Sequence, residues 1–130
     1  MEEEKNKNKR IRDYGIKIGE LPTGLKNKIT DIEDIRVGHY TLNNGKIQTG
    51  VTALLPHTKN LFNNKVIGAT HVINGFGKST GLVQIEELGT IETPLILTNT
   101  LNVGTAHQAL VKYMLKENED IGEKTGTVNP

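Results

Sequence analysis

Apolar and polar positions alternate along the first half of the chain and run together in the second. Ile35-Arg36-Val37-Gly38-His39-Tyr40-Thr41-Leu42 is rich in β-branched and aromatic residues at the two-residue period of a strand. Two registers are open, with either Ile35, Val37, His39 and Thr41 or Arg36, Gly38, Tyr40 and Leu42 facing inward. Asn43-Asn44-Gly45-Lys46 then predicts a hairpin, because Asn-Gly tolerates the positive φ of a tight turn. Ile47 to Leu55 is the return strand, stopped by Pro56. Upstream, Tyr14 to Lys17 reads as a short extended piece and Leu21-Pro22-Thr23-Gly24 as a turn. Downstream, His57 to Asn64 is a polar loop with Leu61 and Phe62 turned to the core, and Lys65 to Ile73 is a third strand. Ser79 to Leu88 fits both a helix face (Leu82, Ile85, Leu88) and a strand (Leu82 to Ile85), with a short helix or irregular segment favoured. Leu95 to Thr98 is a near-continuous apolar run of the kind a central strand carries. From Thr105 to Leu115, Ala106, Ala109, Leu110, Tyr113 and Met114 make the apolar face of the best helix, started by Gly104 and Thr105. The pattern predicts an α+β arrangement of sheets covered by helices.

Length and charge narrow this further. A chain of 130 residues fits one domain with a real core. A net charge of +1 gives no reason to expect nucleic acid or an acidic membrane surface as partner. With no cysteine there are no disulfides or thiolate metal sites. No apolar run approaches the roughly 18 residues of a spanning helix, and the opening MEEEKNKNKRIRD lacks a signal-peptide core. Residues 1–12 are expected to be a charged, disordered leader, and 13–130 one incomplete domain of a soluble cytoplasmic protein. The closing ENEDIGEKTGTVNP reads as a charged loop.

The central stretch carries the candidate chemistry. Gly77-Lys78-Ser79-Thr80 looks like the end of a phosphate-binding loop, but Val72 stands where the first glycine belongs. The dinucleotide pattern also fails, since Thr80 replaces its last glycine. His39, His57, His71 and His107 show no ligand spacing, so each reads as structural. Glu86, Glu87 and Glu92 read as solvated face or turn, the alternative being a place at a cleft. Asn74-Gly75 and Asn99-Thr100 adjoin strand ends, where an asparagine amide serves either a turn or a bound carbonyl.

Several blocks in one order carry a resemblance: Ile29-Thr30-Asp31; Arg36-Val37-Gly38-His39; Thr49-Gly50-Val51-Thr52 with Leu55-Pro56-His57; Asn74-Gly75 with Thr80-Gly81-Leu82; Glu86-Glu87-Leu88-Gly89; and Pro94 with Leu97-Thr98-Asn99-Thr100 and Val103-Gly104. The series, from about Arg12 onward, resembles the N-terminal part of DmpA-type L-aminopeptidase/D-esterases, which include the β-peptidyl aminopeptidases. The resemblance implies a partial αββα sandwich, related to ornithine acetyltransferase, and a precursor that cuts itself to expose an N-terminal serine. That serine uses its own α-amine as a nearby base, with no metal or cofactor. Family members release N-terminal residues from peptides, amides and esters and tend to be oligomeric. Their serine, tyrosine and oxyanion asparagine would lie beyond Pro130, so no catalytic residue is assigned here. Ser79, the sole serine, is internal to a loop and has no free amine. The expectation is an aminopeptidase portion inactive alone; the rival is a non-catalytic module that binds a partner chain, such as the missing half of the enzyme. Asn74, Gly75, Asn99 and Thr100 are the expected wall of the substrate cleft.

Overall fold

The computed structural model describes residues 9–130. The expected leader therefore lies mostly outside the described residues. Ile11–Tyr14 is a 3-10 turn, and the Arg10 guanidinium donates to the carbonyls of Lys26 and Asn27 at 3.2 and 2.8 Å. The piece expected to be extended from Tyr14 thus begins inside that turn.

Strands β1 (Arg36–Asn44) and β2 (Ile47–Leu55) form the predicted hairpin, paired from Arg36↔Leu55 to Asn44↔Ile47. The turn is Gly45-Lys46, one residue later than an Asn-Gly turn would sit. Asn44 stays in the ladder and Gly45 alone takes positive φ, at 55°, the pattern of a II′ turn. Of the two registers left open, Ile35 and Val37 are half-buried, while Arg36, Gly38, Tyr40 and Leu42 are exposed.

Strand β5 (Leu95–Leu97) pairs antiparallel with β2 through Thr52↔Leu97, Ala53↔Ile96 and Leu54↔Leu95. The sheet order is β1-β2-β5, so the expected central strand is an edge strand among the described residues, and β2 lies in the middle. The predicted third strand shrinks to β3 (Val66–Ile67), because its partner β4 (Thr90–Ile91) offers only two residues. One further bond, from the Gly68 N–H to the Gly89 carbonyl, ends that pairing, and Ala69 onward runs without a ladder.

The ambiguous segment is a helix, α1 (Leu82–Leu88). Gly81 starts it at φ 76°, and a Cβ there would stand 2.8 Å from the Pro130 carbonyl oxygen, so both backbone and space demand glycine. Helix α2 (Val103–Glu117) is longer than predicted at both ends. Its start lies upstream of Thr105, in a 3-10 turn over Thr100–Asn102 that Asn99 caps by accepting from the Leu101 N–H. Its covered stripe is also rotated: Leu110 and Met114 are buried and Val103, Ala106 and His107 partly so, whereas Ala109 and Tyr113 face out.

The core is small. Leu61, Leu110, Met114 and Ile121 are its buried apolar residues. Ile121 and Pro130 tuck in, so the closing segment is pinned to the body. The sheet, by contrast, is apolar on both faces: Val37, Leu54, Leu95 and Leu97 on one, Tyr40, Leu42, Val51 and Ile96 on the other. Leu97 remains 68% and Tyr40 66% exposed. No helix among the described residues is long and apolar enough to cross a membrane.

Candidate functional site

Helix α1, the β4–β5 link, β5 and the first turns of α2 enclose a cavity of about 250 Å³. Ser79, Thr80 and Gly81 form one rim, Thr93 to Thr98 the floor, Ala106, His107 and Leu110 the far wall, and Asn129 and Pro130 the closure. The placement follows from the local sequence. Gly81 lets the chain turn sharply into α1, and buried Pro94 separates Thr93 from β5. Two polar atoms of this region, Gln84 Nε2 and His107 Nδ1, are buried with no hydrogen-bond partner among the described residues. Such a group costs about 1–3 kcal/mol when left unpaired.

Glu92, next to the floor, is a buried and paired charge. It is only 5% exposed, pairs with the Lys65 ammonium at 2.5 Å, and accepts from the Asn129 backbone N–H at 2.8 Å and the Asn129 side chain at 3.2 Å. Lys65 in turn lies 4.4 Å above the Phe62 ring. Burial pushes the Glu92 carboxyl up, but the Lys65 hydrogen bond and the two from Asn129 outweigh it and hold the group below its ordinary value. Sequence reasoning left Glu92 between a cleft and a solvated face or turn, with the latter favoured; the structure buries it at the cavity. The contacts that bury it come from residues 27 and 37 positions away, which no local pattern encodes.

The four expected cleft residues divide into two loops. Asn74 Oδ1 accepts from the Phe76 N–H at 3.0 Å, a turn within its own loop, and Gly75 has open space around it. Asn99 is fully engaged: its amide donates to Thr49 Oγ1 at 3.0 Å and its oxygen accepts from Leu101 N–H and the Asn102 amide. Thr100 is the first residue of the following turn. All four are exposed, and none lines the cavity.

The remaining candidates are dispersed. His57 accepts from the Lys59 N–H at Nδ1, 3.1 Å, and its Nε2 lies 2.7 Å from the Asn64 carbonyl, so the ring braces its own loop. His39 Nδ1 meets Thr52 Oγ1 at 2.8 Å across the β1–β2 ladder. Glu86 and Glu87 are exposed, as expected. Among the described residues no three His, Asp or Glu side chains gather as metal ligands. Ser79 reaches the cavity rim, but no hydrogen bond joins it to a histidine or lysine among those residues. Among the described residues the arrangement offers a scaffold and a cavity.

Residues 27–130 match the sequence profile of peptidase family S58. The β-peptidyl aminopeptidase BapA of Sphingosinicella microcystinivorans is 34% identical over 114 residues, 81% of this chain and 28% of that protein. Among solved structures, the PH0078 protein of Pyrococcus horikoshii OT3 superposes with a TM-score of 0.86 at 52% identity, over 92% of this chain and 36% of its own. A Burkholderia sp. β-aminopeptidase gives 0.81 at 39% identity, over 94% and 35%. The L-aminopeptidase D-Ala-esterase/amidase of Ochrobactrum anthropi, a prototype of the serine aminopeptidases and a variant of the Ntn hydrolase fold, gives 0.74 at 30% identity, over 91% and 35%. The α+β class and the partial αββα sandwich expected from the sequence agree with that fold. The chain spans about a third of the length of the relatives it matches.

Proposed function

We propose that this chain, which belongs to peptidase family S58, forms the N-terminal part of a self-processing serine aminopeptidase domain and is inactive by itself. The substrates of the complete domain would be peptides and amino-acid amides or esters, cut to release the N-terminal residue. The observation that carries this is the coverage: over nine-tenths of the chain superposes on 35–36% of each of the three solved structures. The relatives named as aminopeptidases support the reaction class. Ser79 is the sole serine of the chain, and it would become an N-terminal nucleophile only if the Lys78–Ser79 peptide bond were cut. In the complete domain, Asn74, Gly75, Asn99 and Thr100 would form the wall of the cleft, although the oxygens of both asparagine side chains are engaged in local turns here.

The apolar exposure of both sheet faces supports association as well. The accessible surface is 10,867 Å², against about 6,800 Å² for a compact monomer of this mass. A chain with so much uncovered surface needs further layers, from the rest of an S58 domain or from other copies.

Two assays test the reading. The 130-residue chain is incubated with amino-acid p-nitroanilides and esters, alone and together with the non-matching two-thirds of a full-length S58 relative. Turnover appears only in the mixture. Hydrolysis by the chain alone that scales with its concentration and survives Ser79→Ala overturns the proposal.

A further inference from the structure

The chain holds two Asn-Gly steps, Asn44-Gly45 and Asn74-Gly75, and the fold treats them oppositely. At such a step the next backbone nitrogen reaches the side-chain amide most freely, because glycine places no Cβ in the way. Asn44 is the last residue of β1, paired with Ile47 across a turn that holds Gly45 at φ 55°. Bringing the Gly45 nitrogen onto Asn44 Cγ would pull Asn44 out of its extended conformation and break the closing pair of the hairpin. Asn74 has no such restraint, for it lies in an exposed loop outside any ladder. Its Oδ1 accepts from the Phe76 N–H at 3.0 Å, which folds the side chain back over the peptide joining Asn74 to Gly75. The Gly75 N–H makes no backbone hydrogen bond among the described residues, and a Cβ at Gly75 would meet nothing within 4 Å.

We infer that Asn74 is a site of spontaneous deamidation through a cyclic imide, and that the hairpin protects Asn44. The Gly75 nitrogen attacks Asn74 Cγ, forming the N–C bond; the Cγ–Nδ2 bond breaks, and the amide leaves as ammonia with the proton lost by that nitrogen. Water then opens the imide at either carbonyl, giving aspartate or isoaspartate. The Phe76 N–H points at the oxygen that gains negative charge in the tetrahedral intermediate, the placement by which backbone donors stabilise oxyanions in acyl transfer. The product places a carboxylate in the loop between β3 and α1 and cancels the net charge of +1. The isoaspartate branch also adds a methylene to the backbone there.

The test uses the 130-residue chain held at mildly alkaline pH, in native buffer and in denaturing urea, with aspartate and isoaspartate at both sites quantified by peptide mapping. In native buffer Asn74 converts at least about tenfold faster than Asn44, ~1.4 kcal/mol in barrier; in urea the two rates converge. Gly75→Ala, which the open space accommodates, slows conversion at Asn74 several-fold. Comparable native rates, faster loss at Asn44, a gap that persists undiminished in urea, or a Gly75→Ala variant that converts at the parent rate overturns the assignment. Neither arm depends on peptidase activity, so the outcome is independent of the proposed function.

Discussion

Glu92 shows how far a single residue's role depends on the chain around it. Three donors hold its carboxylate charged in a buried position. Its folded pKa lies below the unfolded value of about 4.3, so its contribution to stability is complete above that value and is lost as pH falls through the folded one. The melting temperature of the parent should therefore fall as the pH drops below the ordinary glutamate range, and Glu92→Gln should flatten that part of the profile. At neutral pH the same variant should cost about 1–2 kcal/mol, since Lys65 is partly solvated and keeps water when its partner is lost. A pH profile unchanged by the substitution would remove Glu92 from this role. Asn99 makes a second case. Its side chain joins Thr49 on β2 to the start of α2, so Asn99→Ala should lower stability by about 1 kcal/mol in urea titration. An unchanged midpoint would show that these bonds do not hold the start of the helix.

Elements were legible where local chemistry governs them. The β1–β2 hairpin needs only alternation and one glycine that tolerates positive φ, and Ile47–Leu55 emerges with the predicted ends. Helix α2 is visible by its period, but its buried stripe is not: Ala109 and Tyr113 fit the same period as Leu110 and Met114, and only burial in the folded chain separates them. Truncation tests the separation. Met114→Ala should destabilise by about 2–5 kcal/mol through lost burial and a residual cavity. Tyr113→Ala, at a position 44% exposed, should cost well under half as much. Equal losses would mean that the stripe lies where the simple period puts it.

At the scale of the molecule the deciding quantity is uncovered apolar surface. A three-stranded sheet with Val37, Leu54 and Leu95 on one face and Tyr40, Val51 and Ile96 on the other cannot bury both with two helices. The edge position of β5 states the same thing, since its sequence is that of a strand covered on both sides. The chain alone should therefore self-associate in size-exclusion chromatography and bind a hydrophobic dye, with a broad thermal transition. A clean monomer with a sharp melt and no dye uptake would contradict this. Supplying the remainder of an S58 domain should suppress the dye signal.

The sequence by itself determined the hairpin, the α2 period, the α+β class and, through ordered motif blocks such as Arg36-Val37-Gly38-His39 and Leu97-Thr98-Asn99-Thr100, the aminopeptidase family. These rest on neighbours within a few residues, where dihedral preference and side-chain period act directly. Tertiary structure alone decided that Lys65 to Ile73 keeps only two strand residues, that Leu95–Leu97 lies at an edge, and that Glu92 is buried with Lys65 and Asn129. Each depends on a partner far away in sequence: a strand forms only as long as its neighbour, and a carboxylate leaves water only where donors converge on it.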